Sequence, residues 1–383
     1  MSKTAKIIIG LIVLLLIIWG VSSSRGTKDT SVTSKEPVKI GFIGPLTGDA
    51  SVYGETEKNA LKLAVDEINS SQGIDGRSIE VIYEDGKCTG KDAASAAQKL
   101  INIDKVSIIL GGACSSETLA IAPIAEDAHV IVLSSFSSNP QISTAGDYIF
   151  RNAPSDADVA KTDATYIASH FKNAGLISEN TDYTQGVRSV MKEVLAKANV
   201  PVVADELFGG PGIAVDDFRT VLQGVKAKNP EVIYINAQTG KTGARILKQM
   251  RDLGIRIPVT SNLNLGGADA IAIAGSYTDG IVISDSTKLS DKGQSLLKKY
   301  KDTYNSDPIN QFEMAASYDR AYIIAQAIKA VGTDATKIKD YLYSMKEYTG
   351  AVGTYHFDEN GDVVGVGFAN FVIKDGKEIP VIK

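Results

Sequence analysis

Histidine, cysteine and tryptophan are scarce in this chain, with three, two and one among 383 residues. The histidines, His129, His170 and His356, stand far apart, and none has a cysteine or carboxylate at metal-ligand spacing, which excludes the common zinc arrangements. With a net charge of −5 and no block or stripe of lysine and arginine, the electrostatic footprint of a nucleic-acid binder is missing. Gly41-Phe42-Ile43-Gly44-Pro45-Leu46-Thr47-Gly48 has the wrong glycine spacing for a dinucleotide fingerprint, and no P-loop occurs. No metal, nucleotide or other cofactor is therefore expected. Apolar residues are plentiful at 44%, as are glycines at 35, and the chain is long enough for two lobes of ordinary domain size.

Acidic residues are absent before Asp29, and Lys3 and Lys6 precede the unbroken apolar stretch Ile7–Val21. That pattern is an export signal. Fifteen apolar residues suit a signal-peptide core better than a membrane span of about 20. Val21-Ser22-Ser23-Ser24 offers small residues for cleavage, but with no A-x-A site both a cleaved signal and a retained anchor over 7–21 stay open. The polar stretch 25–37 reads as a tether, and the protein is expected outside the cytoplasm, in the periplasm or at the cell surface.

From residue 38 onward the pattern is α/β. Strands are expected at Val38–Ile43, Ile79–Tyr83, Val106–Leu110 and Val130–Leu133, alternating with helices over Thr56–Ser70, Lys91–Ile103 and Glu117–Ala128. Pro123 is expected to kink the third of these helices or shift its start. A second series starts after Pro154, where Ser155-Asp156 caps a helix over Val159–Phe171, and runs on to a strand at Gly280–Asp285. Its helix at Val215–Lys226 lies between strands Pro201–Leu207 and Glu231–Ile235. Helices Lys292–Tyr304, Gln311–Val331 and Lys337–Met345 follow, free to return to the first series, with late strands at Gly350–Asp358 and Asn370–Lys374. The fold class is α/β with two doubly wound lobes.

Two hydroxyl-rich turns, 111–118 and 134–140, follow neighbouring strands one α/β unit apart. Parallel strands deliver their C-terminal ends to one sheet edge, so Ser115 and Ser138 are expected to face one pocket. The helix between the strands adds N–H groups and a positive dipole end that favour a carboxylate or phosphate. A plainer reading makes Ser116 an N-cap and the second cluster a turn. Cys88 and Cys114 lie after the export segment at the same sheet edge and read best as a disulfide, although Gly112-Ala113-Cys114-Ser115-Ser116 also leaves Cys114 open as the nucleophile of a hydrolase.

Val38-Lys39-Ile40-Gly41-Phe42-Ile43-Gly44-Pro45-Leu46-Thr47-Gly48 with Tyr53-Gly54, then Ala64-Val65-Asp66-Glu67-Ile68-Asn69, Ala113-Cys114-Ser115-Ser116 and Arg151-Asn152-Ala153-Pro154-Ser155-Asp156, resemble the type I periplasmic binding proteins. The nearest branch is the leucine/isoleucine/valine-binding component of ABC importers. The resemblance implies two Rossmann-like lobes joined by three hinge crossings, one of 38–153 plus 286–350 and the other of 154–285 plus 351–383. It also implies that Ser115 holds a ligand carboxylate, Ser138 contacts the head group, and Ala113 and Phe136 add main-chain contacts. Tyr53 walls the side-chain pocket, Tyr183 closes from the second lobe, and Cys88 pairs with Cys114.

The pattern departs from the amino-acid binders at Leu263, which stands where an acidic residue takes the ligand's ammonium, and at Gln238, near where an aromatic is common. The amine site is then missing, moved, or replaced by Asn262 or Asn264. The resemblance implies a monomeric, non-enzymatic binder that hands an amino acid or related small carboxylate to a membrane permease. The same fold also serves ligand-sensing ectodomains.

Overall fold

Continuous apolar runs of strand length can be satisfied only where both sheet faces are covered, and here they form the centres of two separate sheets. The computed structural model describes residues 35–210, 215–286 and 289–381. Residues 37–383 form one compact unit. The segment 7–21, read as export signal or anchor, lies outside the described residues. Among the described residues no helix is long and apolar enough to cross a membrane.

The first sheet contains β1 (Val38–Gly44), β2 (Ile79–Asp85), β3 (Ile108–Gly111), β4 (Ile131–Ser134) and β5 (Ile149–Arg151), all parallel, in the order β2-β1-β3-β4-β5. Its crossovers are α1 (Ser51–Ser70), α2 (Gly90–Asn102) and α3 (Ser115–Ala128). The chain then passes through α4 (Asp156–His170) into β6 (Ala174–Glu179), α5 (Asp182–Lys197), β7 (Val202–Phe208), α6 (Arg219–Ala227), β8 (Val232–Asn236), α7 (Gly240–Asp252), β9 (Val259–Ser261), α8 (Ala268–Ala274) and β10 (Val282–Ser286). It next builds α9 (Asp291–Tyr304), α10 (Gln311–Val331) and α11 (Ala335–Ser344), then the short strands β11 (Tyr348–Thr349), β12 (Thr354–Phe357) and β13 (Val363–Val364). It ends with β14 (Phe368–Lys374) and β15 (Lys377–Pro380), antiparallel at the edge of the second sheet in the order β15-β14-β10-β9-β8-β6-β7.

Each sheet is covered on both faces. On the first, α2 and α3 supply one apolar core, while α1, α9, α10 and α11 supply the other. Ala351, Val352, Tyr355 and Phe357 are buried in that second core beside Phe150, so residues 351–366 belong with the first lobe rather than, as expected, the second. Phe357 meets the Phe150 ring and Tyr355 meets that of Tyr348, contacts that their spacing in the sequence does not assign to either sheet. The chain therefore passes between lobes at about residues 152–155, after Ser286, and near 365–367.

The first crossing is tied to the third. Arg151, fully buried, donates from Nε and Nη2 to the two carboxylate oxygens of Asp362 (2.6 and 2.9 Å), and from Nη1 to the carbonyl of Asn139 (2.8 Å). The next residue, Asn152, donates to the carbonyl of Ala316 (2.8 Å) and accepts from the hydroxyl of Ser135 (2.8 Å). Inside the first lobe Glu57 and Arg320, both fully buried, pair at 3.1 Å.

Candidate functional site

Helix α3 begins two residues before the expected Glu117. Cys114 is its N-cap, and Glu117 reaches back so that its carboxylate accepts from the N–H groups of Cys114 and Cys88, both at 2.9 Å. Burial pushes the Glu117 carboxyl up to about 7. Ser116 is not the cap; its hydroxyl donates to the carbonyl of Cys88 (3.0 Å). Helix α3 runs through Pro123, which lies on its exposed face, where water can satisfy the carbonyl left without a partner.

Most hydroxyls of the two turns hold the loops together. Ser134 (2.7 Å), Ser137 (2.8 Å) and Thr118 (3.1 Å) all donate to the carbonyl of Gly112. A side chain is excluded there, because a Cβ at Gly112 would meet the Glu117 Cβ at 2.4 Å. Ser115 and Ser138 differ from these serines, because both line a cavity of about 60 Å³ between the lobes. The Ser115 oxygen accepts from the N–H of Ser138 (3.3 Å) and of Asn139 (3.2 Å). With both lone-pair sites engaged, the proton of that hydroxyl is what it can offer a ligand. Ser115 also stands in the first turn of α3, whose leading N–H groups have no intrahelical acceptor.

The remaining expected site residues, Ala113, Phe136, Tyr53, Tyr183, Gln238, Leu263 and Asn264, line the same cavity. Tyr53 and Phe136 meet edge to face at 5.9 Å. Tyr53 also bridges the lobes: its hydroxyl accepts from the N–H of Gly240 (3.1 Å) and donates to Oδ1 of Asn264 (3.4 Å). Asp49 and Lys241 form an exposed ion pair across the same gap at 2.7 Å. Gln238 accepts from the Thr181 hydroxyl (2.7 Å), which fixes its side chain. Asn262, one expected substitute for the amine site, is buried outside the cavity, its amide donating to Ala237 (3.0 Å).

Three acidic residues that the sequence did not single out for the site also line the cavity: Asp156, Asp285 and Glu313. Asp156 had been read only as a helix cap; burial pushes its carboxyl up to about 7, against a hydrogen bond from Ser138. Asp285 is the penultimate residue of β10, and Glu313 sits in the first turn of α10. No spacing rule links positions 156, 285 and 313, so only the crossings bring them together.

These buried carboxylates fix the sign of the pH response. The folded values of Glu117 and Asp156 lie near 7 and that of Asp163 near 8, raised in each case by burial. The folded state keeps protons that an unfolded chain, with ordinary carboxylates, loses between about pH 4 and pH 8, so stability falls as pH rises through that window. Groups of the opposite kind, such as Asp205, held low by Arg188 and Lys192 against partial burial, lose their contribution only in stronger acid. The Tm of ligand-free protein is expected to be higher near pH 5 than near pH 8. A Tm that rises across that interval would contradict the burial of these groups.

A family model described as "Periplasmic binding protein" matches residues 37–376. The chain belongs to that family. It is 26% identical over 339 residues to the leucine-, isoleucine-, valine-, threonine- and alanine-binding protein of Pseudomonas aeruginosa, covering 87% of this chain and 89% of the relative. Identity to the Leu/Ile/Val-binding protein of Escherichia coli is 25% over 349 residues, covering 88% and 90%. Among solved structures, the branched-chain amino acid transporter substrate-binding protein LivJ of Streptococcus pneumoniae, in complex with isoleucine, superposes with a TM-score of 0.80 at 28% identity, covering 89% of this chain and 97% of that one. As a periplasmic binding protein the chain binds solutes, acts outside the cytoplasm and catalyses no reaction. Cys88 and Cys114 are joined in a disulfide, which removes Cys114 as a nucleophile. Among the described residues no cysteine is free.

Proposed function

We propose that this periplasmic binding protein captures a small carboxylate, an amino acid or a related acid, between its lobes and presents it as a monomer to the membrane permease of an ABC importer. The reading is carried by Ser115 and Ser138, which reach one cavity from the ends of adjacent parallel strands beside the N-terminus of α3. The Ser115 proton and the first-turn N–H groups meet one carboxylate oxygen each, and Ser138 serves the same head group. Tyr53 and Phe136 shape the space beyond. Tyr183, Gln238, Leu263 and Asn264 come from the second lobe, so closure completes the cavity and expels water. The closed form differs in shape from the open one, which gives a permease something to distinguish.

Calorimetry of the protein against amino acids and small organic acids tests the proposal. Ser115→Ala is expected to weaken binding by about 1–3 kcal/mol, the worth of one charge-assisted hydrogen bond, and to lower the ligand-free Tm as well, because the N–H groups of Ser138 and Asn139 lose their acceptor. An unchanged affinity would remove Ser115 from the clamp.

A further inference from the structure

The cavity has an electrostatic imbalance that a carboxylate alone would worsen. Three acidic side chains line it, and among the described lining residues none is basic. Asp156, 2% exposed, keeps an unpartnered Oδ2 beside the serine clamp, and Glu313 is its counterpart among the other lining residues. It is 9% exposed, and its Oε2 has no hydrogen-bond partner although that atom is shielded from solvent. A buried polar atom without a partner is costly, and native sites seldom keep one idle.

The Glu313 neighbours Phe312 and Asp285 lie where the ligand cavity meets a second one. A larger cleft of about 580 Å³ adjoins the ligand cavity and shares with it Tyr53, Leu263 and Asn264 as well as Asp285, Ser286, Asn310 and Phe312. Ser115, Ser138, Asp156 and Glu313 itself line only the smaller cavity. Asp285, the acidic neighbour that most opposes Glu313, therefore marks the end away from the serine clamp. Asp285 is itself hydrogen-bonded to Glu378, whose carboxyl burial and Asp285 push up to about 8. Among the described residues no three such groups converge closely enough to hold a metal ion. An aliphatic side chain would leave Oε2 of Glu313 against hydrocarbon.

We infer that Glu313, with Asp285 beside it, receives a cationic group at the far end of the ligand, making the solute a small carboxylate with a distal ammonium rather than one with a branched aliphatic tail. This rests on the carboxylate clamp proposed above.

A proton accompanies the exchange. The groups that act on Glu313 are Asp285 on β10, Glu378 on β15 and Glu57 on α1, with Tyr53 on α1 and Tyr183 on α5 also within electrostatic reach. Burial, reinforced by Asp285, raises the Glu313 carboxyl well above its ordinary value, which favours the protonated form while the site is empty. Arg320 is engaged with Glu57 and does not relieve it. An arriving ammonium favours the carboxylate and drives that proton into solution.

Calorimetry of the full chain at neutral pH should therefore separate two pairs of probes, 5-aminopentanoate and L-lysine against 4-methylpentanoate and L-leucine. The better amine-ended probe is expected to bind at least about tenfold tighter than either aliphatic one, a gap of about 1.4 kcal/mol. Its enthalpy should differ between phosphate and Tris buffers because a proton is released. Glu313→Gln is expected to shrink the gap by about tenfold and abolish the buffer dependence. The comparison of probes on the unaltered protein stands even if that variant folds poorly. Tighter binding of the aliphatic probes, or no proton release, overturns this inference and leaves the clamp standing. Failure of all four probes overturns the clamp, and this inference with it.

Discussion

Arg151→Met is expected to lower stability by about 3–5 kcal/mol in urea unfolding, the usual cost of breaking a buried ion pair from one side. The guanidinium is fully buried, whereas the Asp362 side chain is 17% exposed. Methionine fills much the same volume, so the loss reflects abandoned polar groups rather than a hole. Those groups are both oxygens of Asp362, the carbonyl of Asn139 and the hydroxyl of Ser143. Water can reach Asp362 in part and offset some of the loss. The double variant with Asp362→Asn should then lose less than the sum of the singles, because the two side chains act as one unit. Binding should weaken as well: Arg151 holds the carbonyl of Asn139, whose N–H holds Ser115. A loss under about 1 kcal/mol would mean that the crossing does not depend on this pair.

The same connection shows how far the sequence could be read. Gln311–Val331 was delimited as observed, because Asn310 caps it through Phe312 and Glu313 and Gly332 follows it. Runs such as Ile108–Leu110 and Ile131–Leu133 gave the sheet because continuous burial leaves no polar alternation to misread. The lobe membership of 351–366 was not legible, since it depends on which core Tyr355 and Phe357 meet after a tight turn. Short elements also escaped notice. The helix Ala268–Ala274 has no side-chain cap, and Lys377–Pro380 is a short, largely exposed edge strand with no apolar alternation.

The site divides in the same way. Its hydroxyl side follows from strand order, since adjacent parallel strands must end at one edge, and every residue expected there reaches the cavity. Its acidic side depends on crossings between lobes. Asp285 lies one residue from the end of a strand of the second lobe, and Glu313 lies in the first turn of a helix of the first. A reading that proceeds strand by strand finds the hydrophobic departure at Leu263 but has no rule for where the compensating charge has gone.

Replacing both cysteines by serine is expected to cost about 3–4 kcal/mol of stability while changing ligand affinity by less than about tenfold. The bond spans 26 residues, and in the chain-entropy model closing such a loop restricts mainly the unfolded chain. In the folded state the turn has other attachments. Glu117 accepts from the N–H groups of residues 88 and 114, and the Ser116 hydroxyl donates to the carbonyl of residue 88. None of these needs sulfur, so the N-terminus of α3 and Ser115 should keep their places once the chain has folded. Chemical denaturation and calorimetry on the same preparation separate the two effects. Ser115→Ala should instead lose affinity, with a loss of stability limited to the two N–H groups it leaves without an acceptor. If the cysteine-free protein bound its ligand more than about a hundredfold more weakly, by roughly 2.8 kcal/mol, the Glu117 contacts alone would not hold the clamp, and the disulfide would be part of the binding site itself.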